Sequence, residues 1–283
     1  MKKTKSNSKI SMWVAILMAL MCLGVAAYFG GRIIYQQLQY KEGDDVYEQI
    51  AEIAAGDPSG DSSENNSDAS SEEKESEDAG TGQSEEIHRV VDIDFEALKK
   101  VNPDVVAWLY SEDTVINYPI CQGEDNAYYL RHLVDGTYNL NGCLFIDCEN
   151  KKDFSDHNTI VYGHHMASGK MFASLIKYAD QDYFEEHPVM YLETEDKEYK
   201  VELFSGYTTE IGSSAYMLTL ADQHAYAEWL REIYAKSDFT ADVVISTKDH
   251  ILTLSTCAYS FQNARYVLHG KLTDITQKRE VTE

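Results

Sequence analysis

The chain has 283 residues and a formal net charge of −24, with 48 acidic residues against 24 basic ones. This length allows one large domain or two small ones. The strong acidity argues against nucleic acid as a partner, because no basic stripe is present to meet a phosphate backbone.

The N-terminus has the pattern of a membrane anchor. Residues 1–9 carry only positive charges, and residues 10–31 form an uncharged apolar run. A helix of this length crosses a hydrocarbon core of about 30 Å. A cleaved signal peptide is the alternative, but the run exceeds the usual apolar region of roughly 7–15 residues. Lysines before the run and acidic residues after it predict a single-pass protein of the cell membrane, with a cytoplasmic N-terminus and an extracellular remainder.

Two further segments precede the folded region. Residues 32–56 predict a juxtamembrane helix that is interrupted at Gly43. Residues 57–86 contain eleven acidic residues, one lysine and no aromatic residue. Such a composition cannot bury enough apolar surface to fold, so it predicts a disordered spacer that serves as a flexible tether. The extracytoplasmic folded domain is predicted over residues 87–283.

This domain is predicted to be mainly β. Asp94 is expected to cap a short helix that ends at Asn102 and Pro103. Eight short segments rich in β-branched and aromatic residues are bounded by polar turns and predict strands: VVAWLYS, INYPICQ, GCLFIDC, HNTIVYGH, VMYLETE, EYKVELFSGYTT, DHILTLSTC and RYVLHGKLTDI. Helices are predicted at DNAYYLRHL, KMFASLIKYAD and ADQHAYAEWLREIYAKS. Eight strands and few helices predict a closed β-barrel decorated by helices.

Four cysteines lie beyond the apolar run: Cys121, Cys143, Cys148 and Cys257. Outside the cell they could form disulfides, and a disulfide between Cys121 and Cys143 is one of the alternatives. A zinc site is disfavoured, because CxxC pairs are absent. The adjacent histidines of YGHHM also lack the partner spacing of a metal motif. We therefore expect no metal site.

Cys257 ends a predicted strand and is a candidate nucleophile. Strand alternation places it on the face that carries Thr253 and Ser255, away from the leucines of the same strand. This more polar face is predicted to line a groove. If the following loop closes a hairpin, Arg265 comes beside Cys257, where a guanidinium can stabilise a thiolate or an oxyanion.

A nucleophilic cysteine also needs a partner for proton transfer. His164 and His165 follow Gly163 at the end of a predicted strand, where functional groups are often exposed. Because adjacent residues point in different directions, at most one of the two should face the groove. His269 lies within a strand and is predicted to be packed.

These motifs together resemble a known family. TLSTC, the arginine eight residues after it, and NTIVYGHHMASGKMF resemble the sortases, and class B sortases in particular. NYPICQGEDNAYYLRH and NGCLFIDCEN resemble further segments of that class in the same order. The resemblance covers about residues 90–275 together with the N-terminal anchor.

The resemblance implies a membrane-anchored cysteine transpeptidase of Gram-positive bacteria, built on an eight-stranded β-barrel and active without a cofactor. Its substrates would be secreted proteins that carry a C-terminal sorting signal of the LPxTG or NPxTx type. The enzyme would cleave the signal after threonine, hold the protein as a cysteine thioester and transfer it to an amine of a lipid-linked peptidoglycan precursor.

Carried over by motif position, the resemblance implies roles for six residues. Cys257 would be the nucleophile, His164 the general acid and base, and Arg265 the group that binds the signal backbone and the oxyanion. The implied substrate contacts are Ser255, Asn126 and Leu130.

Three other classes of protein fit the sequence less well. A transpeptidase of the L,D type would need an SHGC-like signature, and a papain-like protease would need a CGSCW-like one; both are missing. An inactive binding module on the sortase fold is the third alternative. The joint presence of cysteine, histidine and arginine at the expected positions argues against it.

Overall fold

The computed structural model describes residues 7–56 and 93–276. The predicted acidic spacer over residues 57–86 lies outside the described residues, as do the two ends of the chain.

The first helix, α1, is continuous over Asn7–Ala54. It contains an 18-residue window with a mean hydropathy of 2.2 and no buried residue, so it is long and apolar enough to cross a membrane. The predicted interruption at Gly43 is wrong. Gly43 is buried, and a Cβ atom there would lie 2.8 Å from Cγ of Asn141. The glycine therefore allows the helix to approach the barrel closely and does not end it.

The C-terminal part of α1 packs on the barrel. Its buried residues form one helical stripe: Tyr47, Ile50 and Ala54. The Tyr47 hydroxyl donates a hydrogen bond of 2.6 Å to the carbonyl oxygen of Gly142. The side-chain amide of Asn139 donates one of 2.8 Å to the carbonyl oxygen of Gln39. These contacts fix the helix to the loop that precedes the third strand.

A short helix, α2, spans Phe95–Val101. Its predicted cap is confirmed, since Oδ1 of Asp94 accepts a hydrogen bond of 2.8 Å from the Ala97 amide. The amide of Asp94 also donates a hydrogen bond of 2.9 Å to the carbonyl oxygen of Ala54. The residues on either side of the acidic segment are therefore in contact. The apolar run is joined to the barrel by the packing of α1 on the barrel surface, in addition to the covalent chain.

Eight strands form a closed barrel, which confirms the predicted fold. The strands are β1 Val105–Tyr110, β2 Asn117–Cys121, β3 Leu144–Ile146, β4 Asn158–Tyr162, β5 Val189–Glu193, β6 Glu198–Glu210, β7 His250–Cys257 and β8 Ala264–Asp274. Their order around the barrel is β1-β2-β3-β4-β7-β8-β6-β5. The pairs β2–β3 and β4–β7 are parallel, and the others are antiparallel. Closure pairs every strand on both sides.

Helices α3, Gln181–Glu186, and α4, Gln223–Ala235, lie between strands. The third predicted helix is α4, and its predicted apolar stripe is buried: Tyr226, Trp229, Leu230 and Ile233. The other two predicted helices contain 3₁₀ segments instead, Tyr128–Leu130 and Phe172–Ala179. Short connectors often adopt this tighter form.

The parallel pairing of β4 with β7 positions the functional site. Tyr162 of β4 lies opposite Ser255 of β7. The amide of Gly163 donates a hydrogen bond of 3.1 Å to the carbonyl oxygen of Ser255. The carboxyl ends of the two strands therefore meet at one edge of the barrel, and His164 emerges there beside Cys257.

Candidate active site

A cavity of about 430 Å³ opens at the edge where β4 and β7 end. Its lining includes all six residues singled out from the sequence: Cys257, His164, Arg265, Ser255, Asn126 and Leu130. Four separate stretches of the chain contribute these residues. We call this cavity the thiol groove.

Cys257 lies directly opposite Arg265 in the antiparallel pair β7–β8. The loop between them closes with a hydrogen bond of 3.0 Å from the Ala258 amide to the carbonyl oxygen of Ala264. Side chains of opposed residues share one face of the sheet at about 5 Å between Cβ atoms. Nη1 of Arg265 donates a hydrogen bond of 3.0 Å to the Ala264 carbonyl oxygen. The side chains of Cys257 and Arg265 both line the thiol groove.

Only part of the polar face of β7, formed by Thr253, Ser255 and Cys257, lines the thiol groove. Ser255 lines the thiol groove, and its hydroxyl lies 2.8 Å from the hydroxyl of Tyr216. Thr253 was expected on the same wall, but it is fully buried and donates a hydrogen bond of 2.6 Å to Oδ1 of Asn158. Helix α4 packs over this part of the sheet. His269 is packed there as predicted, 2.9 Å from Oγ1 of Thr253, and burial lowers its pKa to about 3.

His164 lines the thiol groove, and its Nε2–H donates a hydrogen bond of 2.7 Å to the carbonyl oxygen of Leu130. Burial lowers the pKa of His164, and the positive charges of Arg131 and Arg265 lower it further. The hydrogen bond to Leu130 opposes this change. Because the ordinary value is 6.5, the imidazole is mainly neutral at pH 7.

Two glycines allow the close packing around His164. Gly142 has a φ of +60°, and a Cβ atom there would lie 3.0 Å from Cδ2 of His164. A Cβ atom on Gly163 would lie 2.5 Å from side-chain atoms of both Leu144 and Phe172. A larger residue at either position would displace the ring or the end of β4.

His165 contacts the backbone of Cys257. Its Nδ1–H donates a hydrogen bond of 2.9 Å to the carbonyl oxygen of Cys257, and its ring packs edge-on against Tyr259 at 5.2 Å. His164 thus faces the thiol groove, while its neighbour lies outside the groove lining.

The sequence analysis identified Asn126 in the thiol groove but not its hydrogen-bond partners. Oδ2 of Asp147 accepts hydrogen bonds of 2.9 Å from both the amide of Asn126 and the hydroxyl of Tyr162. Oδ1 of Asn126 accepts another, of 2.8 Å, from the Cys148 amide. Two sequence signals could have pointed to these partners: Asp147 directly follows a strand, and Tyr162 directly precedes Gly163. Tyr216 lies in a short connector whose sequence carries no such signal.

The sortase domain family model matches residues 109–273 of this chain. Sortase B of Listeria monocytogenes is 39% identical over 177 residues, which cover 62% of this chain and 72% of that protein. The chain belongs to the class B sortases. As a member of this class it is a cysteine transpeptidase that acts on sorting signals.

Solved structures agree with this assignment. The Staphylococcus aureus sortase B–substrate complex has a TM-score of 0.61 to this sortase and is 34% identical, covering 64% of this chain and 85% of that chain. A Bacillus anthracis protein described as similar to sortase B has a TM-score of 0.65 and is 32% identical, covering 83% of this chain and 97% of that chain.

Cys121, Cys143 and Cys148 of this sortase are free thiols. The sulfur atoms of Cys121 and Cys143 lie 3.7 Å apart in the core, where burial raises the pKa of Cys121 well above its usual range. Among residues 7–56 and 93–276, no cluster of three or more His, Cys, Asp or Glu side chains could hold a metal ion.

Proposed function

We propose that this sortase cleaves a C-terminal sorting signal of the LPxTG or NPxTx type after its threonine and transfers the protein to an amine of a lipid-linked peptidoglycan precursor. The observation that carries the proposal is the opposition of Cys257 and Arg265 across β7–β8, with His164 on the same groove. Acyl transfer through a thioester needs a thiol, a proton carrier and an oxyanion partner.

In the first half-reaction, the thiol proton of Cys257 passes to His164, and the sulfur attacks the carbonyl carbon of the signal's threonine. The C–S bond forms, and the carbonyl oxygen becomes an oxyanion beside the Arg265 guanidinium. Collapse of this intermediate breaks the C–N bond, and His164 delivers its proton to the leaving amine. The products are the thioester and the released C-terminal fragment.

In the second half-reaction, an acceptor amine attacks the thioester carbon while His164 takes its proton. The new C–N bond forms and the C–S bond breaks. The sulfur of Cys257 leaves as a thiolate and recovers the proton from His164. Neutral His164 suits this step, because only the unprotonated ring can act as a base.

Three residues of the groove wall are proposed substrate contacts. Asn126 is held by Asp147 and the Cys148 amide, so its side chain is fixed before substrate arrives. Leu130 is 38% exposed and offers an apolar surface. Ser255 adds a hydroxyl next to the nucleophile. Together they would recognise the residues of the signal that precede its threonine.

Residues 10–31 are proposed to anchor the enzyme in the cell membrane as a single span, with residues 1–9 in the cytoplasm and residues 87–283 outside. Residues 32–56 would continue the helix out of the membrane, followed by the acidic segment over residues 57–86. The apolar composition of α1 and the lysines before it support this orientation. Protease added to intact cells should digest the catalytic domain; complete protection would contradict the topology.

Because α1 packs on the barrel, the catalytic test uses the full chain in a neutral detergent. Fluorogenic peptides that span LPxTG and NPxTx variants are incubated with and without triglycine as the amine. We expect cleavage after threonine, a covalent adduct on Cys257 by mass spectrometry, and a ligated product only with the amine. Cys257→Ala should abolish all three. Continued turnover in that variant would refute the proposed nucleophile.

A further inference from the structure

A second cavity, of about 460 Å³, lies between α1 and the catalytic barrel. We call it the helix–barrel pocket. Helix α1 contributes Arg32, Tyr35 and Tyr40 to its lining, and the barrel side contributes Arg131, His164 and His165. His164 also lines the thiol groove, so the two cavities meet at this one imidazole.

The helix–barrel pocket has the charge of an anion site. None of the described residues that line it is acidic. Within the described part of the chain, neither Arg32 nor Arg131 has a carboxylate within ion-pair distance. Arg32 and Arg131 are both exposed, so a ligand that enters the pocket from solvent or from the bilayer surface can reach them. The planar guanidinium matches phosphate oxygens in two-point hydrogen bonds.

The position of the pocket along α1 identifies the source of the anion. Arg32 is the first charged residue after the apolar run over residues 10–31. From Arg32 to Tyr40 the helix rises about 12 Å. The polar headgroup layer on each side of a bilayer is about 5–8 Å thick. The pocket therefore begins at the depth of lipid headgroups and ends just above them.

We infer that the helix–barrel pocket binds the phosphate group of a membrane lipid through Arg32 and Arg131. The inference rests on the proposed function, which places α1 in the membrane and assigns His164 to amine activation. A lipid held by its phosphate lies beside His164. An acceptor amine carried on such a lipid is thereby delivered to the imidazole that serves the thioester.

Lipid binding is measured on the full chain in neutral alkyl maltoside micelles. Dioctanoyl phosphatidic acid is titrated by calorimetry, with inorganic phosphate in a parallel arm. We expect saturable binding of the lipid and weaker binding of free phosphate. The double variant Arg32→Gln/Arg131→Gln should bind the lipid about tenfold more weakly or worse, because charge-assisted contacts are lost.

Lys41→Gln is the matched control. Lys41 is exposed on the same helix and lies outside the pocket lining. Its loss removes one positive charge from a different site, and it is compared with the single variant Arg32→Gln, which also removes one. Undiminished lipid affinity in Lys41→Gln supports the inference. An equal loss in Lys41→Gln, equally tight binding of inorganic phosphate, or the absence of lipid binding would each overturn it.

A second measurement locates the lipid. In spectra with labelled histidine rings, the lipid should shift the resonances of His164 and His165 but not those of the distant, buried His269. A shift confined to other histidines would overturn the placement. Peptide cleavage by the wild-type enzyme is assayed in the same micelles without added lipid. Cleavage without lipid binding would refute only the lipid site, and lipid binding without cleavage would refute only the proposed reaction.

Discussion

His165 contacts the backbone of Cys257, the proposed nucleophile: its Nδ1–H donates a hydrogen bond of 2.9 Å to the carbonyl oxygen of that residue. The preceding residue, His164, lines the groove that contains the same cysteine. Two adjacent histidines thus have different contacts, one with the backbone at the end of β7 and the other with the space where a substrate would bind.

Alanine at each of these positions should have a different effect. His164→Ala should lower kcat/KM by about 10²–10⁴-fold, because it removes the proton carrier. His165→Ala removes one hydrogen bond, of about 1 kcal/mol, and should lower kcat/KM about fivefold. The rates are measured with a sorting-signal peptide, with exposed His224→Ala as the control. A larger loss in His165→Ala would reverse the assignment.

Replacement of Arg265 should affect kcat more than KM. The guanidinium beside Cys257 is proposed to meet charge that develops on the substrate carbonyl oxygen, so Arg265→Ala should lower kcat by about 10²–10³-fold. Arg265→Lys keeps the charge but loses the two-point geometry, and it should recover part of that loss. A rise in KM with unchanged kcat would instead assign Arg265 to binding alone.

The titration of His164 should have its midpoint below pH 6.5. Burial lowers the pKa, and Arg131 lowers it further by repelling the imidazolium. Arg131→Gln should therefore raise the midpoint, whereas Arg131→Lys, which keeps the charge, should leave it nearly unchanged. The midpoints are read from ring resonances followed across pH. A midpoint above 6.5 in the wild type would contradict the proposed neutral state at pH 7.

Acid should destabilise the fold through His269. Its pKa is about 3 in the folded protein, where the ring is buried, against 6.5 for the free side chain. The unfolded chain alone takes up this proton, so the stability contribution is complete above pH 6.5 and falls as the pH drops towards 3. Between pH 7 and pH 5 the loss is about 2 kcal/mol.

Urea unfolding at both pH values tests this expectation. His269→Gln keeps a polar side chain without the titration, so its free energy of unfolding should depend less on pH than that of the wild type. The difference between the two slopes isolates His269 from other groups. Equal slopes would show that His269 is protonated in the folded state or does not titrate separately.

The barrel could be predicted because each of its strands is marked by residues that are close together in the sequence. Each strand has its own run of β-branched and aromatic residues, and polar turns mark the ends. The opposition of Cys257 and Arg265 follows from one hairpin, so the sequence contains it as well. Strand alternation also predicted that Cys257 and Ser255 face a groove. The choice of His164 over His165, and the placement of Asn126 and Leu130, came only through motif resemblance, because these residues lie on separate stretches of the chain.

The sequence predictions that were wrong or incomplete concern features that depend on tertiary contacts. Gly43 is unfavourable in an isolated helix, yet α1 continues through it because Asn141 packs where a side chain would stand. Alternation assigned Thr253 to a polar face correctly but could not show that α4 covers this part of that face. Tyr216 reaches Ser255 from a connector, and no local pattern marks it.

The hydrogen bond between Ala54 and Asp94 bears on the proposed membrane topology. Helix α1 packs on the barrel before the acidic segment begins, and the described chain resumes at Ile93, next to the end of that helix. In the proposed topology, the distance of the barrel from the bilayer is set by α1, with about 22 Å of helix between Arg32 and the barrel contact at Tyr47. We expect a change in the length of residues 57–86 to leave that distance unchanged. A sorting signal would then meet the enzyme at a fixed height above the membrane, whatever the length of the acidic segment.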